Sequence, residues 1–202
     1  MFNLTSPTIL PKLFPCFTWS MKDKSDKVFL TFDDGPVPGV TRWVLSTLKQ
    51  FNAKATFFCL GKNVKNNPDL YSEIIENGHS VGNHTFNHLK GWTSTAEEYT
   101  DDIKMAEEVI ESRIFRPPYG KISPAQVALV RKKFNIIMWD VLTRDYDYKL
   151  TGEECLNNAT TYIQPGSIVV FHDSYKAEKN LKYALPRTLE HIYNSGLKLS
   201  VL

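Results

Sequence analysis

The sequence predicts a single α/β domain in which strands alternate with helices and curl into a barrel of about seven units, slightly short of eight. Three observations carry this. Short apolar runs rich in β-branched and aromatic residues recur along the whole chain. Amphipathic stretches with helix-start or helix-stop signals lie between several of them. No internal repeat, low-complexity tract or linker divides the 202 residues, a length that one domain accommodates.

The apolar runs are 28–32, 55–60, 80–83, 114–116, 136–139, 167–171 and 197–201. Between them, residues 41–51 set Val44, Leu45, Leu48 and Phe51 on one helical face. Residues 70–77 end at Gly78, a C-terminal stop. Residues 95–112 open with Thr95 and Glu98 at capping-box spacing. Residues 124–134 and 186–194 each begin with proline in a predicted first turn, and the second stretch is followed by Gly196. Pro7, Pro11 and Pro15 punctuate the start, so residues 1–26 are expected to pack on the domain as a non-helical arm, with the domain proper at 27–202.

Composition excludes several classes. A net charge of +2 is too weak for a nucleic-acid footprint. With 42% hydrophobic residues over this length, a full core forms without staples, so a metal site here is expected to be catalytic. Cys16, Cys59 and Cys155 are odd in number and not at C-x-x-C spacing, which disfavours a disulfide framework or a cysteine zinc site. No basic-then-apolar leader or membrane span is visible, so a soluble cytoplasmic monomer, with no membrane partner, is the expectation.

Five apolar strands end in ionisable groups, the pattern expected where a barrel gathers its active site at the carboxyl ends of its strands. The first ends in Asp33-Asp34-Gly35-Pro36. Adjacent aspartates repel, and a solvated turn is the bland alternative, but a glycine turn lets both reach the barrel mouth. The second leads to His84 and His88, four apart, sharing a face if they sit on a helical turn. Two imidazoles with a carboxylate suit a divalent metal and leave positions open for water and substrate; spacing does not decide between Asp33 and Asp34. His79 reads as structural. Phe115-Arg116-Pro117-Pro118-Tyr119-Gly120 reads as a stiff loop in which Arg116 orients a carboxylate and a backbone N–H faces developing negative charge. The last two strand ends supply Asp140 and Asp145, then His172 and Asp173; His172 suits a general acid.

These motifs resemble the polysaccharide deacetylases, the family of the NodB homology domain (carbohydrate esterase family 4). The resemblance spans 27–202: Thr31 to Pro36, His84 to His88 (an H-S/T-x-x-H pattern), Arg116 to Tyr119, and Val170-Phe171-His172. It implies a distorted (β/α) barrel of about seven strands. It also implies Asp33 as general base, Asp34, His84 and His88 as metal ligands, and Arg116 holding Asp33. The Tyr119 backbone N–H would face the oxyanion, and His172 would be the general acid. Many relatives carry D-x-x-D-W, whose first aspartate supports the histidine. Here the segment is Leu142-Thr143-Arg144-Asp145-Tyr146, and Leu142 cannot make that bond. Asp145 is the favoured replacement and Asp140 the other.

The implied activity is metal-dependent removal of N-acetyl groups from N-acetylated sugars, with zinc first and cobalt or another divalent ion next as cofactor. The carbohydrate would be a chitooligosaccharide, a peptidoglycan-type glycan or a glycoconjugate, with Trp92, Tyr119, Tyr146 and Tyr175 available to stack on sugar rings. A non-sugar amide or imide is the alternative substrate. A catalytically silent carbohydrate-binding protein is the alternative of another class, and the intact set of ligands and base argues against it.

Overall fold

The computed structural model describes residues 10–21 and 26–202. Among them the strands are β1 (Phe17–Thr18), β2 (Lys27–Asp33), β3 (Thr56–Cys59), β4 (Ser80–Asn83), β5 (Ile114–Phe115), β6 (Asn135–Ile137), β7 (Val141–Leu142), β8 (Ile168–His172) and β9 (Lys198–Leu199). The helices are α1 (Leu10–Leu13), α2 (Val40–Gln50), α3 (Gly61–Asn66), α4 (Pro68–Glu76), α5 (Ala96–Glu107), α6 (Pro124–Val130), α7 (Gly152–Thr160) and α8 (Glu178–Asn194). All strand pairings are parallel, in the order β1-β6-β5-β4-β3-β2-β8-β7, with β9 joining the start of β2. The result is one curled sheet with helices outside it, a distorted barrel of the expected kind.

β1 and β7 are the two ends of this sheet, and the N-terminal segment runs from the end of β6 to the loop before β8. Thr18 O accepts the Met138 N–H and Met21 N–H donates to Gly166 O, each at 2.7 Å. The arm expected to be non-helical makes one helical turn at residues 10–13, and its Phe17–Thr18 pair with Ile136–Ile137. Pairing satisfies backbone groups that would otherwise lie against the barrel unpartnered, and Trp19 packs beside Phe115, Phe134 and Ile136. The expectation for residues 1–9, with Pro7, and for residues 22–25 falls outside the described residues.

β2 shows why the central strands read as unbroken apolar runs. It is buried from Val28 to Asp33 because helices cover one face and the barrel interior the other. Alternation puts Phe29, Thr31 and Asp33 on one face. Phe29, Phe58, Ile137 and Ile168 form a compact apolar cluster, and above it Arg116 lies 4.1 Å from the Phe58 ring centroid. Val28, Leu30 and Phe32 join the larger core with Val44, Leu48, Leu181 and Leu185 of the flanking helices. Each such fully buried side chain contributes roughly 1.5–3 kcal/mol from burial.

The Thr95–Glu98 capping box is present, and Ser123–Gln126 and Thr151–Glu154 make two more at the starts of α6 and α7. Gly78 and Gly196 follow their helices at φ 76° and 71°. One boundary is corrected: Pro186 lies inside α8, which begins at Glu178. Leu181, Ala184, Leu185, Thr188, Leu189 and Ile192 are all buried along one face, and their packing outweighs the hydrogen bond that proline forfeits. No helix among the described residues is long and apolar enough to cross a membrane.

Candidate metal centre and active site

The carboxyl ends of β2, β4, β5 and β8 converge. Asp33 ends β2, and its Cα partner across the ladder is His172 at the end of β8. Asp34 follows in a left-handed conformation, φ 81°, which turns its side chain toward the histidines. His84 lies just beyond β4 and is 2% exposed.

His84 and His88 do not sit on a helical turn as expected. Thr85 and His88 adopt φ 67° and 60°, and this irregular backbone, rather than helical periodicity, brings the rings to 5.2 Å between centroids. Asp102 of α5 holds the turn: one oxygen accepts the N–H groups of Phe86 and Asn87 at 2.9 and 3.0 Å, and the other accepts the Asn87 side-chain amide at 2.6 Å.

Asp34, His84 and His88 each offer one ligand atom, all within 4.8 Å of one another. Asp34 Oδ1 lies 3.2 Å from His88 Nε2 and 3.8 Å from His84 Nε2, yet among the described residues this buried oxygen accepts no hydrogen bond. His84 Nδ1 donates to the Arg116 carbonyl at 2.7 Å, which leaves the Nε2 lone pair directed at Asp34. Burial, partly opposed by Asp33 and Asp34, lowers the His84 pKa to about 4, so its imidazole is neutral at pH 7. Burial pushes the Asp34 carboxyl up, but contact with His88 and the nearby charge of His172 hold it below the carboxylate range. A convergent, unpartnered carboxylate oxygen with two free imidazole nitrogens fits a divalent cation.

Arg116 is fully buried. Its Nη1 donates to Asp33 Oδ1 and Thr31 Oγ1, each at 2.7 Å, and Nη2 donates to Met138 O at 3.0 Å. Asp33 is thereby held by one oxygen at the barrel mouth. Tyr119 has φ 61°, its hydroxyl lies 3.1 Å from His88 Nδ1, and its ring packs against His88.

Asp145 reaches His172; Asp140 instead accepts Ile168 N–H and Ser167 Oγ. Asp145 is fully buried, and its two oxygens take the His172 backbone N–H and Nδ1–H, each at 2.8 Å. Burial disfavours charge on His172, but the Asp145 carboxylate, with Asp34 and Asp33 beyond it, raises the pKa to about 9. Tyr146 stands edge-on to the same ring, 4.8 Å between centroids. His79 accepts Ala55 N–H and packs on Phe57, away from this cluster. Trp92 and Tyr175 are exposed at 65% and 68%.

Three supporting residues escape sequence reasoning: Asn63, which donates to Asp34 O at 2.7 Å; Asn83, whose side-chain oxygen accepts Thr85 N–H; and Asp102. Asp173 was legible as an acid next to His172. Nothing in the spacing reports what it touches.

A family profile described as polysaccharide deacetylase matches residues 20–136. A peptidoglycan-N-acetylglucosamine deacetylase of Bacillus cereus is 33% identical over 188 residues, covering 90% of this chain and 88% of that protein. The peptidoglycan-N-acetylglucosamine deacetylase PgdA of Listeria monocytogenes is 41% identical over 165 residues; the match covers 77% of this chain but only 34% of that longer protein. Among solved structures, the Bc1960 peptidoglycan N-acetylglucosamine deacetylase superposes with a TM-score of 0.89 at 29% identity, over 98% of this chain and 95% of that one.

Proposed function

Because the chain belongs to the polysaccharide deacetylase family, we propose that it hydrolyses the N-acetyl group of an N-acetylated glycan, releasing acetate and a free amino sugar. The observation that carries this is the convergence of Asp34, His84 and His88 beside a base–acid pair, Asp33 and His172, in register on neighbouring strands.

Asp34, His84 and His88 would hold the divalent cation, with zinc the ion that two imidazoles and a carboxylate suit first and cobalt another that they accept. When bound, the ion supplies Lewis-acid polarisation of the acetyl carbonyl and a lowered pKa for water. Asp33, fixed by Arg116, takes a proton from the attacking water as the new C–O bond forms. The Tyr119 backbone N–H faces the oxyanion. His172, charged at neutral pH through Asp145, gives its proton to the sugar nitrogen as the C–N bond breaks. The substrate proposed is a peptidoglycan-type or chitooligosaccharide N-acetylglucosamine unit, with Trp92, Tyr119, Tyr146 and Tyr175 as candidate stacking surfaces.

Acetate release from N-acetylglucosamine oligomers and peptidoglycan fragments, set against small cyclic amides, tests the reading. Turnover on the glycans supports it. Activity confined to the cyclic amides, or none on any substrate with metal loaded, overturns it.

A further inference from the structure

The turn that carries both candidate catalytic aspartates is anchored by a buried group that the mechanism above does not use. Asp173 follows His172, is fully buried, and lies against the segment after β2. Its backbone N–H donates to Asp33 O at 3.1 Å. One side-chain oxygen accepts Gly35 N–H at 3.0 Å, and the other lies 2.6 Å from the Thr41 hydroxyl. Thr41 Oγ1 also accepts Val37 N–H at 2.7 Å, so both sides of the Gly35-Pro36 step are tied to this pair. A Cβ on Gly35 would stand 2.0 Å from the Asp173 carboxylate; glycine is required there because the carboxyl approaches so closely.

We propose that Asp173 is a positioning residue for the reaction, setting the left-handed turn at Asp34 so that Asp34 meets the two histidines while Asp33 faces Arg116. The other bonds to this turn, from Asn63 to Asp34 O and from Leu60 N–H to Gly35 O, hold its carbonyls. Asp34 O and the Gly35 N–H lie in one peptide plane, so Asn63 and Asp173 hold that plane from its two edges, and among the described residues Asp173 alone accepts the N–H. Burial, only partly offset by Thr41, raises the Asp173 pKa to about 8, so the side chain acts through hydrogen bonds more than through charge. An amide of the same shape supplies the same acceptor to Gly35 and a donor to Thr41.

This inference rests on reading Asp34 as a metal ligand and Asp33 as the base. The test compares Asp173→Ala, Asp173→Asn and Thr41→Val in the full chain, by titrating zinc into apoprotein against a chromophoric chelator and by measuring kcat and KM for acetate release. Folded Asp173→Ala should bind zinc roughly 10–100-fold more weakly, the range for outer-shell partners of metal ligands, and lose kcat with KM held. Asp173→Asn should recover both to within a few-fold, and Thr41→Val should show the same losses in smaller measure. If Asp173→Ala does not fold, Thr41→Val decides alone. Wild-type zinc affinity in whichever folded variant decides, or an Asp173→Asn as impaired as Asp173→Ala, overturns the assignment. The zinc arm needs no substrate: if wild-type protein binds zinc but releases no acetate, the deacetylase reading fails while the positioning role is still decided.

Discussion

The Asp145 carboxylate grips His172 from two sides, one oxygen on its backbone N–H and the other on Nδ1–H, both at 2.8 Å. Asn180 and Thr143 hold Asp145 in turn: Asn180 Nδ2 donates to Asp145 O at 3.1 Å, and Asp145 N–H donates to Thr143 Oγ1 at 3.3 Å. Leu142 can offer no hydrogen bond to His172, and the histidine is nonetheless fully supported. The support comes from three residues further along the chain.

The first prediction is a pH profile. Burial works against charge on His172, and the Asp145 carboxylate overrides it, giving a raised value of about 9. The protonated imidazole is the stabilised form, so its contribution is whole below the ordinary histidine pKa near 6.5 and is lost as pH climbs through about 9. A reaction that needs His172 as acid should show kcat/KM falling on that alkaline limb. A bound cation offsets the share contributed by Asp34, so the metal-loaded limb falls somewhat below that value. Asp145→Asn should move the limb to lower pH; an unmoved limb would mean that another group titrates there.

The second prediction separates base from ligand. Asp33→Asn keeps the shape of the side chain and leaves Asp34 untouched, so zinc stoichiometry should match wild type. Turnover should fall on the order of 10²–10⁴-fold, the contribution of a positioned base. Single-turnover acetate release at saturating metal measures it, and near-wild-type rates would remove Asp33 from the mechanism.

The third concerns stability. Arg116 and Asp33 form a salt bridge at 2.7 Å with side-chain exposures of 0% and 6%. Arg116→Met removes the cation and strands the carboxylate, which for buried pairs costs roughly 3–5 kcal/mol. The urea midpoint should drop at unchanged slope. A loss below about 1 kcal/mol would show that water reaches Asp33 once the guanidinium is gone.

The fourth is metal removal. The large apolar core lies beneath and outside the ligand cluster, which occupies loop ends. Chelation should abolish acetate release yet leave far-UV dichroism unchanged, with activity restored by a divalent cation. Unfolding on chelation would make the metal structural.

How far the sequence reads forward depends on whether a signal is local. The long buried strands and the helix stripe of α2 carry their own periodicity, and the five strand-end motifs carry their own chemistry. β1 and β7 are two residues each, too short for any period, and exist because a neighbour supplies a ladder. The convergence of His84 and His88 looks helical in spacing but depends on two positive φ values that residue type does not announce. Asp102 is one of two adjacent acids and Asp173 simply follows His172, so neither stands out locally. Their partners lie about 15 and 138 residues away, at separations no local pattern encodes. The Thr151–Glu154 box was open to the reasoning that found Thr95–Glu98.

The last prediction follows from Asp102. Thr85 and His88 hold left-handed conformations, at a cost of roughly 1–2 kcal/mol for each non-glycine residue. The Asp102 carboxylate offsets this with three hydrogen bonds across residues 86–87. Without them the turn should relax toward ordinary backbone angles and carry His88 away from Asp34. His84 is insulated, because its ring is fixed separately by the Arg116 carbonyl. Asp102→Ala should therefore weaken zinc binding to the apoprotein roughly 10–100-fold, through one ligand rather than two. Asp102→Asn retains one acceptor oxygen and should fall between. His88→Ala in the Asp102→Ala background should add little further loss, since both changes act on the same ligand. Full additivity of the two would place the effect of Asp102 elsewhere in the site.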